Sequence, residues 1–321
     1  YLLAYSFIRN HFDSKKALGI SFFTALLFAI HPVQVETVCW ISASKIVLST
    51  FFYLSALICY IQYMRNSKWQ YLLASVVSSI LAMGCKEQSV IIVPCLLLFD
   101  WMLFKRNMRS LKVYIEKVYY LIPAIAIFIV TLVANKDTGE EIIGYTIVDR
   151  FIFLCYSVFK YLLISAIPFK LSYLYPFPFQ VGEKIPMALW IYPFVILFIG
   201  YVIYLNRRKP LLVFCTLFFI LHLLPVLHVI PLPRYVVAAD RYLYIPYIAF
   251  AIGLSILSYH LYERQRKWIL YAGFLYCSYL CIYTADYAPA WKNSDTLKEH
   301  FKEVLKKRET NLSINFKHEK Q

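Results

Sequence analysis

The chain has 321 residues, of which 61% are hydrophobic and only 16% charged, and its formal net charge is +15. Soluble domains are roughly 45–50% apolar and about 25% charged, so this composition excludes an ordinary soluble protein. The basic residues lie in short clusters between apolar runs rather than on one face, which argues against nucleic acid as a partner.

Long apolar runs recur along almost the whole chain and predict an all-α, polytopic transmembrane helical bundle of about nine complete spans. In chain order the predicted spans are 17–31, 45–64, 69–85, 88–104, 117–134, 187–205, 210–230, 243–261 and 267–284. Basic clusters follow alternate spans, and the positive-inside rule places them in the cytoplasm. These clusters are Arg9/Lys15/Lys16, Arg65/Lys68, Lys105–Lys117, Arg207–Lys209 and Arg264–Lys267.

A further apolar stretch, 151–167, does not fit this alternation. The span 117–134 ends on the outer side, and the span 187–205 begins on that same side. The chain between them therefore cannot cross the membrane once. The stretch also contains Lys160 in its middle and is followed by Pro168. We interpret it as an outer-side interfacial or re-entrant helix; alternatively, one of the neighbouring predicted spans is wrong.

Two polar groups lie at the outer ends of predicted spans in the first third of the chain. Pro32 is expected to end the apolar run Leu18–Ile30, which leaves His31 and Glu36 at the membrane boundary. Lys86 and Glu87 occupy a loop so short that both charges lie near membrane depth. Ionisable groups there serve chemistry or pairing, or they simply mark the end of a span.

A third group, Arg234 with Asp240 and Arg241, lies at the outer mouth of the span 243–261. Arginine suits bidentate binding of phosphate, and an adjacent carboxylate can orient it; an internal Asp–Arg pair is the structural alternative. The aromatic, proline-rich stretch Tyr173–Pro178 is also outer, where an aromatic belt is the default explanation. Acids, a base and cations beside apolar grooves suit an amphiphilic substrate with a phosphate, such as a polyprenyl-phosphate-linked sugar.

Two classes of site are not indicated. The chain has only eight glycines and no nucleotide-binding loop, so a nucleotide-driven pump is not expected. The eight cysteines show no spacing typical of a metal site, and most lie inside apolar runs.

The motifs occur in an order that resembles a known family. These motifs are His31–Ser42, Cys85–Gln88, Pro94–Asp100 and Asp240–Pro246. Together they resemble the transmembrane O-mannosyltransferases with C-terminal tetratricopeptide repeats, and their bacterial relatives, within the GT-C class of membrane glycosyltransferases. The resemblance covers nearly all of residues 1–310.

The resemblance implies a GT-C-like fold and transfer of a sugar, for instance mannose, from a polyprenyl-phosphate donor to a protein hydroxyl or a glycan. It assigns binding of the donor phosphate to Lys86, Arg234, Arg241, Asp240 and Tyr244. It makes Glu36 and Glu87 supporting acids and His31 a positioning or acid–base group. The need for a divalent metal stays open.

The sequence departs from the family at two places. The first outer loop, which carries the principal catalytic acid in relatives, is expected before Tyr1, so we predict an N-terminally truncated transmembrane domain, 1–285. Ser44–Val47 replaces an acidic motif of the relatives, which puts metal or substrate coordination there in doubt. Residues 286–321 are predicted to form an outer-side helical tail that begins a truncated repeat region.

The sequence therefore predicts a membrane glycosyltransferase whose active face is periplasmic or lumenal. Usage rich in Ile, Lys and Tyr favours a bacterial inner membrane over an endoplasmic reticulum. Two alternatives stay open: a transporter or flippase for an amphiphilic solute, and a catalytically inactive membrane scaffold.

Overall fold

A computed structural model describes residues 1–134, 144–228 and 236–302, with the side chains at positions 132 and 134 left out. Within these ranges the chain is helical and forms no β-strand, apart from one isolated bridge between Tyr175 and Ala238. The α-helices are α1 (Leu2–Ile8), α2 (Ser14–Ile30), α3 (Val35–Cys39), α4 (Ser44–Asn66), α5 (Trp69–Cys85), α6 (Ile92–Met102), α7 (Leu111–Ala134), α8 (Ile147–Ala166), α9 (Ile191–Leu205), α10 (Pro210–Leu223), α11 (Pro246–Arg264) and α12 (Arg266–Tyr287).

Short 3-10 helices connect many of these elements. They are Pro32–Gln34, Ile41–Ala43, Glu87–Ile91, Met187–Trp190, Asp240–Leu243 and Ala288–Trp291. All of them fall in segments that the charge pattern assigns to the outer side. The 3-10 helices of the described chain therefore lie on the side where we expect function.

Four helical segments are long and apolar enough to cross a membrane: Ile41–Asn66, Leu111–Thr131, Met187–Leu205 and Arg266–Trp291. A fifth crossing is added if α2 and the segment Pro32–Cys39, which bend by 55° at His31, count as one span. An integral membrane protein is therefore consistent with the described residues, but a bundle of nine complete spans is not confirmed.

The structure has fewer complete spans than predicted because several predicted apolar runs form helices that are too short to cross a membrane. The run 88–104 becomes a 3-10 turn followed by α6, which has 11 residues, and the run 210–230 becomes α10, which has 14. A helix rises about 1.5 Å per residue, so α6 alone covers roughly half of a 30 Å hydrocarbon core. Hydropathy detects the apolar run but not where the helix within it ends.

The end of α2 follows from the His31–Pro32 pair, as the sequence predicts. The residue before a proline avoids the helical region, and His31 is extended, with φ −75° and ψ 128°. Pro32 then begins a new short helix, and the chain turns back into the protein. Every residue from His31 to Thr37 is buried. We call this end of the bundle the His31 end.

The opposite end, which we call the basic end, is held by ion pairs. Lys16 at the start of α2 pairs with Glu263 at the end of α11, with Nζ 3.2 Å from Oε1. A second, buried cluster joins α4, α6 and α7: Lys117 Nζ lies 2.6 Å from Asp100 Oδ2, and the Tyr60 hydroxyl donates to Asp100 Oδ1 at 2.5 Å.

Helix α8 corresponds to the problematic stretch 151–167 and is not among the helices long and apolar enough to cross. Thr146 and Asp149 form a capping box at its start. Its side chains then reach the segment before Asp240: Ser157 Oγ donates to the Val237 carbonyl at 3.1 Å, and the Tyr161 hydroxyl accepts from the Ala239 amide at 3.2 Å. This packing brings Lys160 close to the candidate site.

Candidate functional site at the His31 end

Several irregular segments meet at the His31 end. The helix Pro32–Gln34 contacts Asp240–Leu243 and α12, while α3 contacts Ala288–Trp291. The last carbonyl of α2, on Ile30, accepts a hydrogen bond of 2.7 Å from the Thr284 hydroxyl. Residues far apart in the chain therefore form one polar cluster.

Glu36 and Arg241 form the centre of this cluster. The Arg241 guanidinium donates to Glu36 Oε1 at 2.5 Å, and the Arg241 backbone amide donates to Oε2 at 2.8 Å. Glu36 is fully buried, whereas the Arg241 side chain keeps 19% of its surface exposed. Both carboxylate oxygens are thus used to hold an arginine whose other edge remains partly accessible.

Aromatic rings flank the Arg241 guanidinium. Its carbon lies 5.6 Å from the centre of the Trp40 ring and 5.0 Å from that of Tyr242. The Trp40 ring in turn packs 6.0 Å from the ring of Trp291. Cation–π contacts of this kind fix the plane of a guanidinium while leaving its in-plane N–H donors for an anion.

Asp240 lies next to this pair and is 1% exposed. Its Oδ1 accepts a hydrogen bond of 2.8 Å from the Tyr175 hydroxyl, while its Oδ2 has no hydrogen-bond partner among the described residues. Burial, followed by the nearby Glu36 carboxylate, raises the pKa of Asp240 well above its ordinary value. The Tyr175 hydrogen bond and the charge of Lys160 act in the opposite direction.

Lys160 reaches the cluster from the middle of α8. Its ammonium lies 3.8 Å from the centre of the Tyr175 ring and 3.2 Å from the Tyr156 hydroxyl. Sequence reasoning missed Lys160 and Tyr175 as site residues. The signal for Lys160 was present, because a lysine in the middle of an apolar run usually has a functional or pairing role.

His31 is fully buried beneath the same segment. Its Nδ1 accepts a hydrogen bond of 3.3 Å from the Val33 amide, and its ring packs 4.3 Å from the ring of Tyr247. His31 therefore caps the short helix that leads to Glu36. The acid–base role suggested by the resemblance stays a prediction.

Lys86 and Glu87 pair with each other, with Nζ 2.7 Å from Oε1. Burial alone would raise the pKa of Glu87, but the charge of Lys86 and the hydrogen bond from it outweigh burial, so this pKa is lowered. Among the described residues, no hydrogen bond or ion pair joins this pair to Glu36 or Arg241. The structure therefore places it at the first turns of α4, where Ser49 Oγ lies 2.7 Å from Ser89 Oγ, as a separate polar group.

The two remaining predicted phosphate ligands are placed differently. Tyr244 is 9% exposed and packs in an apolar cluster with Ala43, Ile46 and Phe28, with its ring centre 5.3 Å from that of Phe28. Arg234 lies outside the described residues. Arg241 is therefore the predicted phosphate ligand with the most defined geometry.

No family model matches the chain, and neither a curated protein nor a solved structure is significantly similar to it. In the described part of the chain, no group of three or more His, Cys, Asp or Glu side chains is arranged to hold a metal ion. The polar cluster at the His31 end places the oriented Arg241 guanidinium beside the buried Asp240 carboxylate. Such a pair can bind an oxyanion and can accept a proton.

Proposed function

We propose that this chain transfers a sugar from a polyprenyl-phosphate donor to a hydroxyl of a protein or glycan acceptor, at the outer face of the membrane. The observation that carries the proposal is the orientation of Arg241 by the fully buried Glu36. Both residues belong to the sequence motifs that resemble those of the GT-C glycosyltransferases.

The proposed role of Arg241 is to bind the donor phosphate and stabilise it as it leaves. Breaking the bond between the sugar and the phosphate builds negative charge on the lipid phosphate. A guanidinium whose orientation is fixed in advance stabilises that charge without reorganising during the reaction. Glu36 acts through Arg241 in this proposal, because both of its oxygens already accept hydrogen bonds from that residue.

The charge pattern supports an outer-facing site. Lys16 and Arg65 lie at the basic end, and Arg264 ends α11 at the same place. The positive-inside rule makes that end cytoplasmic, so the His31 end faces the periplasm or the lumen. Counting α5, α6, α10 and α11, which are not among the helices long and apolar enough to cross, as partial crossings with local thinning of the bilayer brings the bundle close to nine spans.

The test is transfer by the purified full-length protein in liposomes, with labelled mannosyl, glucosyl and galactosyl polyprenyl phosphates and a Ser/Thr-rich peptide acceptor. We expect one donor to be used by the wild type. Arg241→Gln should lower transfer at least 100-fold, because one oxyanion-stabilising group contributes roughly 10²–10³-fold. Arg264→Gln, which removes an exposed arginine at the basic end, is the matched control.

Transfer by Arg241→Gln at the wild-type rate would refute the phosphate assignment. The same liposomes separate the alternatives. A flippase moves the labelled lipid between leaflets without cleaving it, whereas a scaffold does neither. Release of unlabelled lipid phosphate together with a labelled peptide is the result expected of a transferase.

A further inference from the structure

An open apolar groove runs between α6 and α10, away from the candidate site. It has a volume of about 360 Å³ and is lined by Pro94, Leu97 and Trp101 of α6 and by Leu217 and Leu221 of α10. Pro94 and Trp101 lie about two helical turns apart, so the groove follows α6 for roughly 10 Å. Every side chain that lines it is apolar or aromatic, which suits a hydrocarbon chain rather than a polar ligand.

The groove lies in the half of the bundle next to the basic end. Phe99, which directly precedes the buried Asp100, packs on Phe214 in the first turns of α10, with ring centres 5.5 Å apart. The end of α6 and the start of α10 are therefore neighbours, so the two helices run in opposite directions. Because α6 alone covers roughly half of the hydrocarbon core, its groove faces the leaflet at the basic end.

The loop after α6 closes the groove toward the basic end, because Met108 of this loop also lines it. The loop is tied to the bundle by Arg106, whose amide donates to the Asp100 carbonyl at 2.9 Å and whose guanidinium lies 2.5 Å from Glu116 Oε2. The preceding residue, Lys105, is in the left-handed region, with φ 49°, which residues other than glycine seldom adopt. This anchored turn fixes Met108 beside the two helices.

Exposed cations flank the same end of the groove. Lys105 and Arg109 of the loop are exposed, and neither forms an ion pair with an acid in the described part of the chain. A second cluster, Arg207–Lys209, directly precedes Pro210 at the start of α10 and is also exposed. Two segments from different parts of the chain thus bring positive charge to one end of one apolar groove. Basic residues beside a pocket between membrane helices typically bind anionic lipid headgroups.

We propose that this groove binds an anionic phospholipid of the leaflet at the basic end. One acyl chain of the lipid lies against Leu97 and Leu217, and the phosphate of its headgroup lies beside Lys105 and Arg109. Trp101, which is 52% exposed in the last turn of α6, packs where chain and headgroup meet, the depth that tryptophan prefers in membranes. Lipid binding here does not depend on the proposed transfer reaction, whose donor phosphate binds at the opposite end of the bundle.

The test is native mass spectrometry of the purified full-length protein in detergent, titrated with dioleoyl phosphatidylglycerol or dioleoyl phosphatidylcholine. We expect the wild type to retain a single phosphatidylglycerol at concentrations at which it retains no phosphatidylcholine. Lys105→Gln/Arg109→Gln should weaken phosphatidylglycerol binding roughly 10–30-fold, because each cation near a lipid surface contributes about fivefold to the affinity. Arg264→Gln/Lys267→Gln removes two exposed cations between α11 and α12, which do not line the groove, and should leave the affinity unchanged.

Filling the groove without changing its charge gives a second, independent readout. Leu217→Trp places a larger side chain in the groove and should abolish retention of phosphatidylglycerol. Leu212→Trp makes the same change on α10, at a residue that has the same 37% exposure but does not line the groove, and should bind like the wild type. Thermal unfolding establishes that each variant is folded. If Leu217→Trp does not fold, the two cation variants decide alone.

Several results would overturn the proposal. Equal retention of the two phospholipids, or an equal loss in the two cation variants, would show that the lipid is held without a site. A folded Leu217→Trp that binds like the wild type would place the lipid elsewhere. Displacement of phosphatidylglycerol by an equimolar polyprenyl phosphate would make the groove part of the donor site. A protein that retains phosphatidylglycerol as expected but transfers no sugar supports the lipid site and refutes only the proposed function.

Discussion

Glu36 and Arg241 lie 205 positions apart in the chain and are joined by a hydrogen bond of 2.8 Å from the backbone amide and by an ion pair of 2.5 Å. The pair ties the segment after α2 to the turn before α11. It therefore links the first and last thirds of the described bundle through one buried carboxylate.

Breaking this pair should cost substantial stability. Glu36→Gln leaves Arg241 without its counter-charge in a largely buried position, and we expect a loss of about 3 kcal/mol in the free energy of unfolding. Denaturant titration in detergent measures the change. Glu263→Gln breaks the exposed pair with Lys16 and should lower stability far less, because solvent screens that pair. Equal losses in the two variants would contradict a buried, oriented pair.

Because the pKa of Asp240 is raised in the folded protein, its ionisation should make the protein less stable as the pH rises. The folded state holds the Asp240 proton more tightly than the unfolded state, in which the pKa is near 3.8. The resulting stabilisation is complete below that value and is lost as pH rises toward the folded pKa. Asp240→Asn removes the ionisation, so its stability relative to wild type should increase as pH rises from about 4 to 7.

Melting temperatures of both proteins across this pH range test the sign. Asp286→Asn, at an exposed position, provides the comparison. A relative stability of Asp240→Asn that falls with rising pH would show that Asp240 is charged in the folded state.

The buried ion-pair cluster at the basic end should contribute to the stability of the fold. Lys117→Met removes the closest cation of the buried Asp100, 2.6 Å away, and we expect a loss of about 3–5 kcal/mol. The double variant Asp100→Asn/Lys117→Met should recover part of that loss, because no unpaired charge remains. A double-mutant cycle by chemical denaturation measures the coupling. Strictly additive losses would argue against the pair.

Trp40 should tune the affinity for the donor through Arg241. Trp40→Leu removes the ring that lies 5.6 Å from the guanidinium carbon and should raise the donor KM by roughly 2–5-fold, the value of a partly exposed cation–π contact. Trp40→Phe keeps a ring face and should recover most of the affinity. Trp69→Leu changes a 65% exposed tryptophan at the start of α5 and serves as the control. A change in kcat alone would contradict a role in positioning Arg241.

The sequence was most informative about polarity and chain breaks. Pro32 stops α2 at Ile30 because proline disfavours helix at the residue before it, and this rule needs no tertiary information. The number of complete spans, in contrast, could not be predicted from the apolar runs. Helices such as α6 and α10 end inside apolar runs, at positions that depend on packing rather than on hydropathy.

The same distinction applies to the candidate site. Glu36, Asp240 and Arg241 were identified from charges at predicted membrane boundaries, but their partners were not. Pairing Glu36 with Arg241 requires knowing that the turns after α2 and before α11 touch. Tyr175 looked like one more aromatic residue in a proline-rich stretch, and only its contact with Asp240 distinguishes it.

The 55° break at His31 also bears on how the protein is made. Glu36 is synthesised 205 residues before Arg241, which corresponds to roughly 10–40 s at typical translation rates. Throughout that interval the segment after Pro32 carries an acid without its cation. Because a charge is costly in hydrocarbon, this short segment remains at the membrane surface or protonated until α11 arrives. The Glu36–Arg241 contact, which joins the two ends of this interval, therefore forms only after most of the bundle has been synthesised.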